Sequence, residues 1–358
     1  MAGYVVWLLA NNYDKLLLVR NLKHLMFHLT LNGIGAMEDL SVPANDEVIP
    51  FLPLMRRLVI LRDGSPIWGG QLQFEAWADP PRAPEGTTYS VQGLDHAHYA
   101  QRRILKANDG TAYDEANDHA DDDAKYYVRR NLGTSAAAAR QMSDLTVDAD
   151  LHQCTTVRKR WRGQQLLERL QALATEQGFY WRFVPTMSGC TFTTRYPLWG
   201  ADRSRGNGVN RECIFSFDRR NTLSMSYRGD VSEHYNFVYV AGEGEGAARL
   251  IVERSDATAI ATYDRREIWI DARNNQGAGT TQLQQEGDEA LAKHKAQILL
   301  TAAPAVGTFK SIWDLGDKVS IRARKFSRDY SGQAIITSVA IEIGEDGVER
   351  AAPTMEAV

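Results

Sequence analysis

Short apolar runs that end at turn-forming residues follow one another along most of the chain. This spacing limits the fold to one made mainly of antiparallel strands. Val5–Leu9 and Lys15–Arg20 are two such runs, and the polar residues between them predict a hairpin. Arg62–Pro66 contains Asp-Gly, a strong hairpin signal, between strands predicted at Leu54–Leu61 and Ile67–Trp77. Short strands at this spacing predict a small antiparallel barrel or sandwich in the first hundred residues.

Burial on one side is predicted for these strands. His24–Leu31 alternates apolar and polar residues, as a strand with one buried face does. In the strand that follows the Asp-Gly turn, Trp68, Leu72 and Phe74 are expected to be the buried anchors. The proline-rich segment Asp79–Pro84 is expected to be a loop, because proline cannot donate a backbone hydrogen bond.

The middle of the chain is predicted to be α+β. Leu94–Leu105 and Tyr113–Leu132 have helical character. Trp161–Gln177 is the clearest helix, since its leucines recur at helical spacing and Gly178 gives it a natural end. Two strands and a flexible link are predicted to follow: Phe179–Val184, Gly189–Arg195 and Asp202–Asn210.

The last third is again predicted to be β, with one long helix inside it. The predicted elements are a strand ending at Gly242, a turn at Gly242–Gly246, a strand at Arg249–Arg254, a helix at Thr280–Leu300, a loop and strand at Trp313–Ile321 and a strand at Gln333–Ile343. The segment Arg350–Val358 is expected to be a tail beyond the last strand.

Composition excludes several classes of protein. The length of 358 residues suggests two or three folding units. A net charge of -4 gives no basic field that would hold a nucleic-acid backbone. No apolar run approaches the ~20 residues that span a bilayer, and no signal peptide is expected. Cys154, Cys190 and Cys213 lack metal-ligand spacing and are expected to be inert thiols.

Two segments suggest bound ligands at first sight. Gly242–Gly246 follows a strand, but no Lys-Ser or Lys-Thr follows it and its two glutamates would repel a phosphate, so we expect a wide hairpin turn. Asp118–Asp123 lacks the glycine and the final glutamate of a calcium loop. We expect it to be a solvated helix start, with a bound cation as the alternative.

Histidines and basic residues give weaker signals. Asp95–His98 has no third metal ligand nearby, although two side chains separated by one residue could point the same way on a strand. His24 and His28 are expected on a barrel surface. The basic run Arg158–Arg162 is expected to be a solvated or subunit-facing surface, and no nucleophile motif for hydrolysis is present.

A series of motifs along the chain, each weak alone, resembles one known family when taken in order. The motifs are Gly64–Gly70, Val91–Asp95 with Arg102 and Arg103, Asn236–Gly246 with Arg249, Tyr263–Glu267, Ile270–Arg273 and Asp314–Val319. They resemble the tail-hub, or tail-associated, proteins of siphophages, which are similar to the baseplate hub of contractile tails and injection devices.

This resemblance implies a mainly β fold in which two antiparallel β-barrel hub domains flank an α+β domain. The expected boundaries are 1–105, 106–205 and 206–358, with a helical insertion in the last domain at about 280–300. The implied function is that of a structural subunit of a phage tail tip or baseplate hub. Such subunits form a homotrimeric ring that joins the tail tube and the distal tail ring to a central spike or fibre and lines the DNA channel.

The resemblance also implies the partners and the location. The partners would be copies of the chain itself, the distal tail protein or the tail-tube hexamer, the tape-measure protein, a central spike or fibre, and DNA that passes without specific binding. The location would be the virion, after synthesis in the host cytoplasm.

No catalytic, cofactor-binding or metal-binding residue is assigned, and the chain is not expected to be an enzyme. Two alternatives come from other functional classes. A tail-tip glycan hydrolase would hold two converging carboxylates in one cleft. A carbohydrate-binding module would expose an aromatic platform at Trp68, Trp77 or Trp199, which are expected to be mostly buried.

Overall fold

A computed structural model describes residues 3–19, 22–43, 47–78, 88–106, 111, 114–161, 163–273, 279–304, 307–325 and 328–358. The predicted loop Asp79–Pro84 and Arg162 of the basic run lie outside these residues. The fold is mainly β, with 47% of the described residues in strands and 18% in helices.

The strands and helices follow the chain in a fixed order. The strands are β1 (Tyr4–Leu9), β2 (Lys15–Val19), β3 (His24–Thr30), β4 (Ala36–Pro43), β5 (Arg57–Arg62), β6 (Ser65–Ala78), β7 (Thr88–Asp95), β8 (Asp114–His119), β9 (Leu145–Val147), β10 (Thr156–Trp161), β11 (Tyr180–Thr186), β12 (Gly189–Arg195), β13 (Ile214–Ser216), β14 (Thr222–Asp230), β15 (Phe237–Ala241), β16 (Ile251–Ser255), β17 (Glu267–Asp271), β18 (Gln297–Pro304), β19 (Lys318–Lys325), β20 (Arg328–Ile343) and β21 (Glu349–Ala357). The helices are α1 (His98–Gln101), α2 (Ala120–Asn131), α3 (Leu166–Gln177), α4 (Ala257–Tyr263) and α5 (Thr280–Lys293).

Thirteen strands form one sheet that takes members from both ends of the chain. The strand order is β14-β18-β21-β20-β3-β4-β7-β6-β5-β1-β2, and β19 joins β20 to β13. β3 pairs with β20 in antiparallel register from Leu25–Ile343 to Thr30–Ser338. The expected two separate barrels are therefore not seen, and no closed barrel is found in the described part of the chain. The physical reason is that β3 and β20 satisfy each other's backbone groups across the predicted division.

The two ends of the chain also share side-chain packing. Phe27 and Trp68 belong to the same buried cluster as Trp313 and Ile341. The carboxylate of Glu349 accepts hydrogen bonds from Arg62 Nε (2.7 Å) and Tyr4 Oη (2.5 Å). The first and last parts of the chain are therefore held together by backbone pairing, a common core and a partly buried ion pair.

The middle of the chain is α+β, as predicted, with its own buried cluster. Leu166, Leu170 and Leu173 of α3 are buried in it, and Gly178 ends the helix in the left-handed conformation. Trp161 lies in β10 rather than in this helix. The helix expected over Tyr113–Leu132 begins only at Ala120, because residues 114–119 form strand β8 against β10.

Three further predictions about secondary structure are wrong. The helix expected to reach Leu300 ends at Lys293, and strand β18 follows it. The expected tail is strand β21, which pairs with β18 and β20. Of the helical region expected at Leu94–Leu105, only α1 is helical among the described residues. Pairing with distant strands orders the expected tail and the end of the expected helix, and at Leu94–Leu105 the chain turns after β7 in spite of its helical propensity.

The predicted flexible link at Asp202–Asn210 is instead fixed to the loop that precedes β19. Arg203 Nε lies 2.7 Å from Asp317 Oδ2, and the backbone N–H of Arg203 donates to the carbonyl of Lys318 at 2.7 Å. Asp317 Oδ1 also accepts the N–H of Ala201 at 2.7 Å. The carboxylate of Asp317 therefore fixes the segment that follows the α+β middle of the chain.

Gly316 precedes this aspartate and has φ +83°, a left-handed conformation. A Cβ atom at this position would lie 2.5 Å from Cβ of Trp199. Gly347 also has a left-handed φ of +66°, but a Cβ there would meet nothing within 4 Å. The two glycines share the conformational requirement and differ in the space around them.

We therefore expect Gly316→Ala to destabilise the protein more than Gly347→Ala. Left-handed strain alone costs about 1–2 kcal/mol at either position. The overlap with Trp199 should add about 1–3 kcal/mol at Gly316. Denaturant unfolding of both variants measures the difference, and equal losses would show that Trp199 can move aside without cost.

His24 lies at the junction of β3 and β20. Its Nδ1 is 2.7 Å from Asp39 Oδ2 on β4, and its Nε2 is 3.3 Å from Glu342 Oε1 on β20. Partial burial opposes protonation, but the hydrogen bonds to Asp39 and Glu342 outweigh it and raise the pKa of His24. The protonated imidazole thus links three neighbouring strands.

A histidine whose pKa is raised by folding adds to the free energy of unfolding. This contribution is complete below the ordinary pKa of about 6.5 and is lost as the pH rises through the raised pKa. We expect His24→Gln to remove this loss of stability with rising pH. Glu342→Gln should reduce it, because Asp39 remains. The test is to measure the unfolding midpoint of each protein from about pH 5 to about pH 8, a range around the ordinary pKa of histidine. A pH profile of His24→Gln that matches the wild type would contradict the prediction.

Candidate functional site

The aspartates at the start of α2 are buried, which corrects the expectation that they are solvated. Asp121 and Asp123 have no exposed surface, and Asp122 is 1% exposed. The prediction that this segment starts a helix is confirmed, since α2 begins at Ala120. Burial is possible because each carboxylate meets several donors or a cation.

Backbone N–H groups of residues 151–154 supply most of these donors. Asp122 accepts from Leu151 N (2.9 Å) and His152 N (2.7 Å), and Asp121 accepts from Gln153 N (3.2 Å) and Cys154 N (3.0 Å). Burial opposes ionisation of Asp122, but its hydrogen bonds outweigh this and lower its pKa. Two adjacent carboxylates thereby fix the loop that leads into β10.

Two buried cations complete the charge balance of this cluster. Lys125 Nζ lies 2.9 Å from Asp122 Oδ1, and Arg169 Nη2 lies 3.2 Å from Asp123 Oδ2. Arg169 also stacks over the ring of Trp161, with 3.4 Å from its guanidinium carbon to the ring centroid. Burial lowers the pKa of Arg169 to about 10. The Arg169–Asp123 ion pair joins α3 to α2. The buried aspartates therefore have a structural role.

Asp95–His98 does not form a metal pair in the structure. The residues run from the end of β7 to the start of α1, where Asp95 Oδ1 accepts the N–H of Ala97 (3.0 Å) and His98 Nδ1 lies 2.6 Å from the Asp95 carbonyl. Burial raises the pKa of Asp95 to about 7 and lowers the pKa of His96 to about 3 and that of His98 to about 4. The histidines are therefore neutral parts of the interior.

His96 also joins a polar contact between the large sheet and the middle unit. Its Nε2 lies 3.2 Å from the hydroxyl of Tyr13, and that hydroxyl donates to Asp144. Arg57 stacks over the Tyr13 ring at 4.5 Å. Sequence reasoning gave no sign of this contact, because its four members come from four separate parts of the chain.

The remaining sequence candidates have structural positions. Gly242–Gly246 connects the antiparallel strands β15 and β16, so the predicted hairpin turn is confirmed. His28 Nε2 pairs with Glu38 at 3.0 Å. The three cysteines are buried free thiols. The backbone of residues 158–160 lies in β10, and the side chains of the four basic residues in this run lie outside the described part of the chain.

The tryptophan predictions hold only in part. Trp68 is buried and Trp199 is partly buried, but Trp77 is 70% exposed. Phe74, expected as an anchor of the same strand, is 51% exposed. Both lie in the C-terminal half of the 14-residue strand β6. The alternation of apolar residues along that strand could not show where the core ends.

A second exposed aromatic surface was missed from the sequence. In the sheet β16-β15-β17, Val238 and Val240 face α5, whereas Tyr239 and Trp269 lie side by side on the opposite face, with ring centroids 6.2 Å apart. Trp269 is 52% exposed. The alternation of Glu267–Asp271 would have predicted strand β17 and this face.

Arginines border this aromatic surface. Arg265 Nη2 donates to the Tyr239 hydroxyl at 3.0 Å, and Arg249 lies 5.7 Å from the Trp269 ring centroid. Their carboxylate partners are Glu267 for Arg265 (2.6 Å) and Asp271 for Arg249 (2.6 Å). Exposed rings beside charged hydrogen-bonding groups are suited to stacking on a flat polar ligand.

A groove of about 320 Å³ between α3 and α5 contains the acidic side chains of Glu176, Asp288 and Glu289. Asp288 pairs with Arg254 at 2.6 Å, and Glu289 accepts from Gln285 at 3.2 Å. These contacts give Asp288 and Glu289 a role in packing. The groove therefore adds little to the hydrolase alternative.

The thirteen-stranded sheet has three terminal strands in the described part of the chain. β2 and β14 end its main path, β13 ends the branch through β19, and each pairs with one described strand only. β14 carries Leu223, 74% exposed, and the exposed Tyr227. An open strand edge presents unpaired N–H and C=O groups that another chain can pair with.

No described helix is long and apolar enough to cross a bilayer.

Comparison with known proteins relates this architecture to phage tails. Three solved structures share the fold over almost the entire chain. A 43 kDa tail protein of prophage MuSo2 from Shewanella oneidensis is 13% identical, with a TM-score of 0.63 over 100% of this chain and 98% of that one. A tail protein from Neisseria meningitidis MC58 is 13% identical, with a TM-score of 0.63 over 99% and 96%. Prophage tail protein gp18 from Listeria monocytogenes is 10% identical, with a TM-score of 0.58 over 99% and 94%.

A search of curated proteins gave no match. A family model described as "Siphovirus ReqiPepy6 Gp37-like protein" matches residues 5–355. Because this match spans nearly the whole chain, the protein belongs to the siphovirus ReqiPepy6 Gp37-like family of phage tail proteins.

Proposed function

We propose that the protein is a structural subunit of a phage tail tip or baseplate hub, and that three copies form a ring. Membership of a tail protein family and the fold shared with prophage tail proteins support a structural role in the virion. The observation that carries the ring is the large sheet, in which the terminal strands β2 and β14 of the main path each leave one edge open.

Pairing of these two edges would give a head-to-tail contact. β14 of one copy would lie beside β2 of the next, so that the unpaired backbone groups of both strands are satisfied. Contacts of this kind use two different surfaces and close into a ring when the rotation between copies allows it. Leu223 and Tyr227 on β14 and Leu16 on β2 are exposed apolar side chains that the contact would cover.

The other parts of the proposal rest on the resemblance. The ring would join the tail tube and distal tail protein to a central spike or fibre, and it would contact the tape-measure protein and line the DNA channel. The net charge of -4 is compatible with a wall along which DNA slides without being held. The division at 1–105, 106–205 and 206–358 remains a proposal, supported in its middle part by the separate cluster of buried residues from Ala97 to Phe192.

The ring predicts a native mass of three chains as protein concentration rises. The double variant Leu223→Arg/Tyr227→Arg should shift this equilibrium strongly toward the monomer, because it places two charges against an apolar contact. Sedimentation velocity over a concentration series measures both proteins. A specific contact should also bury roughly 1,200–2,000 Å² of total surface.

Val209→Arg is the matched control, since Val209 is a strongly exposed apolar residue that belongs to neither β2 nor β14. It should assemble like the wild type. If the edge variant and Val209→Arg have the same mass at every concentration, β14 is not part of the ring contact.

Carbohydrate binding is a second candidate function, favoured by the exposed Trp269 ring beside the half-buried Tyr239 ring and by their bordering arginines. Stacking of a sugar on Trp269 should change tryptophan fluorescence in a saturable way when host cell-wall polysaccharide is titrated into the protein. Trp269→Ala should lose this response.

Trp77→Ala is the control, because Trp77 is also exposed but lies on β6 of the large sheet. It should keep the saturable response. A response that is absent in the wild type, or that persists in Trp269→Ala, excludes carbohydrate binding at this face.

A further inference from the structure

Asp118, His119 and His152 come together beside the start of α2. Each offers one ligand atom, and these atoms lie within 4.8 Å of one another. The rings of His119 and His152 have centroids 5.0 Å apart. We propose that these three side chains bind a divalent transition-metal ion of the zinc type.

Hydrogen bonds orient both imidazoles for such a role. His119 Nδ1 contacts the carbonyl oxygen of Cys154, which can only accept, so the proton is on Nδ1 and the lone pair on Nε2. His152 Nδ1 lies 2.8 Å from Asp122 Oδ2 and is oriented in the same manner. Metal-bound histidines almost always donate their second nitrogen to a carbonyl or carboxylate in this way.

The backbone that carries His152 is held before any ion binds. His152 has φ +53°, a left-handed conformation that is uncommon for a residue with a side chain. The N–H groups of residues 151–154 are fixed by Asp121 and Asp122, as described above. The loop is thus fixed in a conformation that brings His152 to His119, 33 positions earlier in the chain.

The local charges favour a cation in spite of the positive end of the α2 dipole. Four carboxylates, those of Asp118 and Asp121–Asp123, lie in or beside the first turn. Lys125 and Arg169 pair with two of them. The side chain of His152 is 59% exposed, so an ion can enter from solvent.

The donor set decides the class of metal. Two imidazole nitrogens and one carboxylate oxygen suit Zn²⁺, Co²⁺ or Ni²⁺, whereas Ca²⁺ and Mg²⁺ prefer oxygen ligands only. Three protein ligands leave a further position open to water. A bound ion would fasten the loop before β10 to the end of β8, and this effect does not depend on the proposed ring.

The test is titration of the metal-free full-length protein with Co²⁺ and Zn²⁺, followed by calorimetry, Co²⁺ absorption and thermal unfolding. The wild type should bind one ion, show a Co²⁺ absorption band and unfold at a higher temperature with Zn²⁺. His152→Ala should lose all three responses while its metal-free unfolding temperature stays near that of the wild type. Asp122→Asn, which touches His152 without binding the ion, should weaken affinity by about 10- to 100-fold.

His28→Ala is the matched control, because His28 is a partly exposed histidine paired with a carboxylate on the large sheet. It should bind like the wild type. Equal binding by His152→Ala and the wild type, no saturable binding by the wild type, or an equal response to Mg²⁺ would each overturn the proposal.

Discussion

The antiparallel pairing of β3 with β20 is the contact on which the rest of the architecture depends. It joins residues near position 25 to residues near position 343 and makes one sheet of strands from both ends of the chain. The common core and the Arg62–Glu349 ion pair are possible only because this pairing brings their members together. The α+β middle of the chain contacts the large sheet through Tyr13, His96 and Asp144.

Local features of this frame were predictable from sequence, and long-range ones were not. The Asp-Gly hairpin, the leucine stripe of α3 and the Gly-rich turn are set by residues close in sequence, and the structure has all three. Two other features depend on distant partners. One is the pairing of β21 with β18 and β20, and the other is the formation of β18 where the end of a helix was expected. Trp77 is exposed because of its position near the end of β6, and its residue type alone could not show this.

The aspartates of α2 show the same limit for site residues. Their acidity predicted a solvated segment, because ionised carboxylates are rarely buried unless they are paired. The donors that make burial possible come from residues 151–154 and from Arg169, which no local pattern connects to Asp121 or Asp123. The grouping of His119 with His152 was hidden for the same reason. The resemblance identified the family, but it carried no information about either contact.

The placement of β20 near the far end of the chain has a consequence for synthesis. A ribosome releases β3 long before residues 338–343 exist, so the centre of the sheet stays incomplete until late in translation. The open edge strand β14 is also made after most of the chain. Nascent chains that have reached only the α+β middle of the chain therefore lack β14, one of the two strands that the proposed head-to-tail contact would use. The central pairing of the sheet can therefore form only when translation is almost complete, and β3 stays without its β20 partner for most of synthesis.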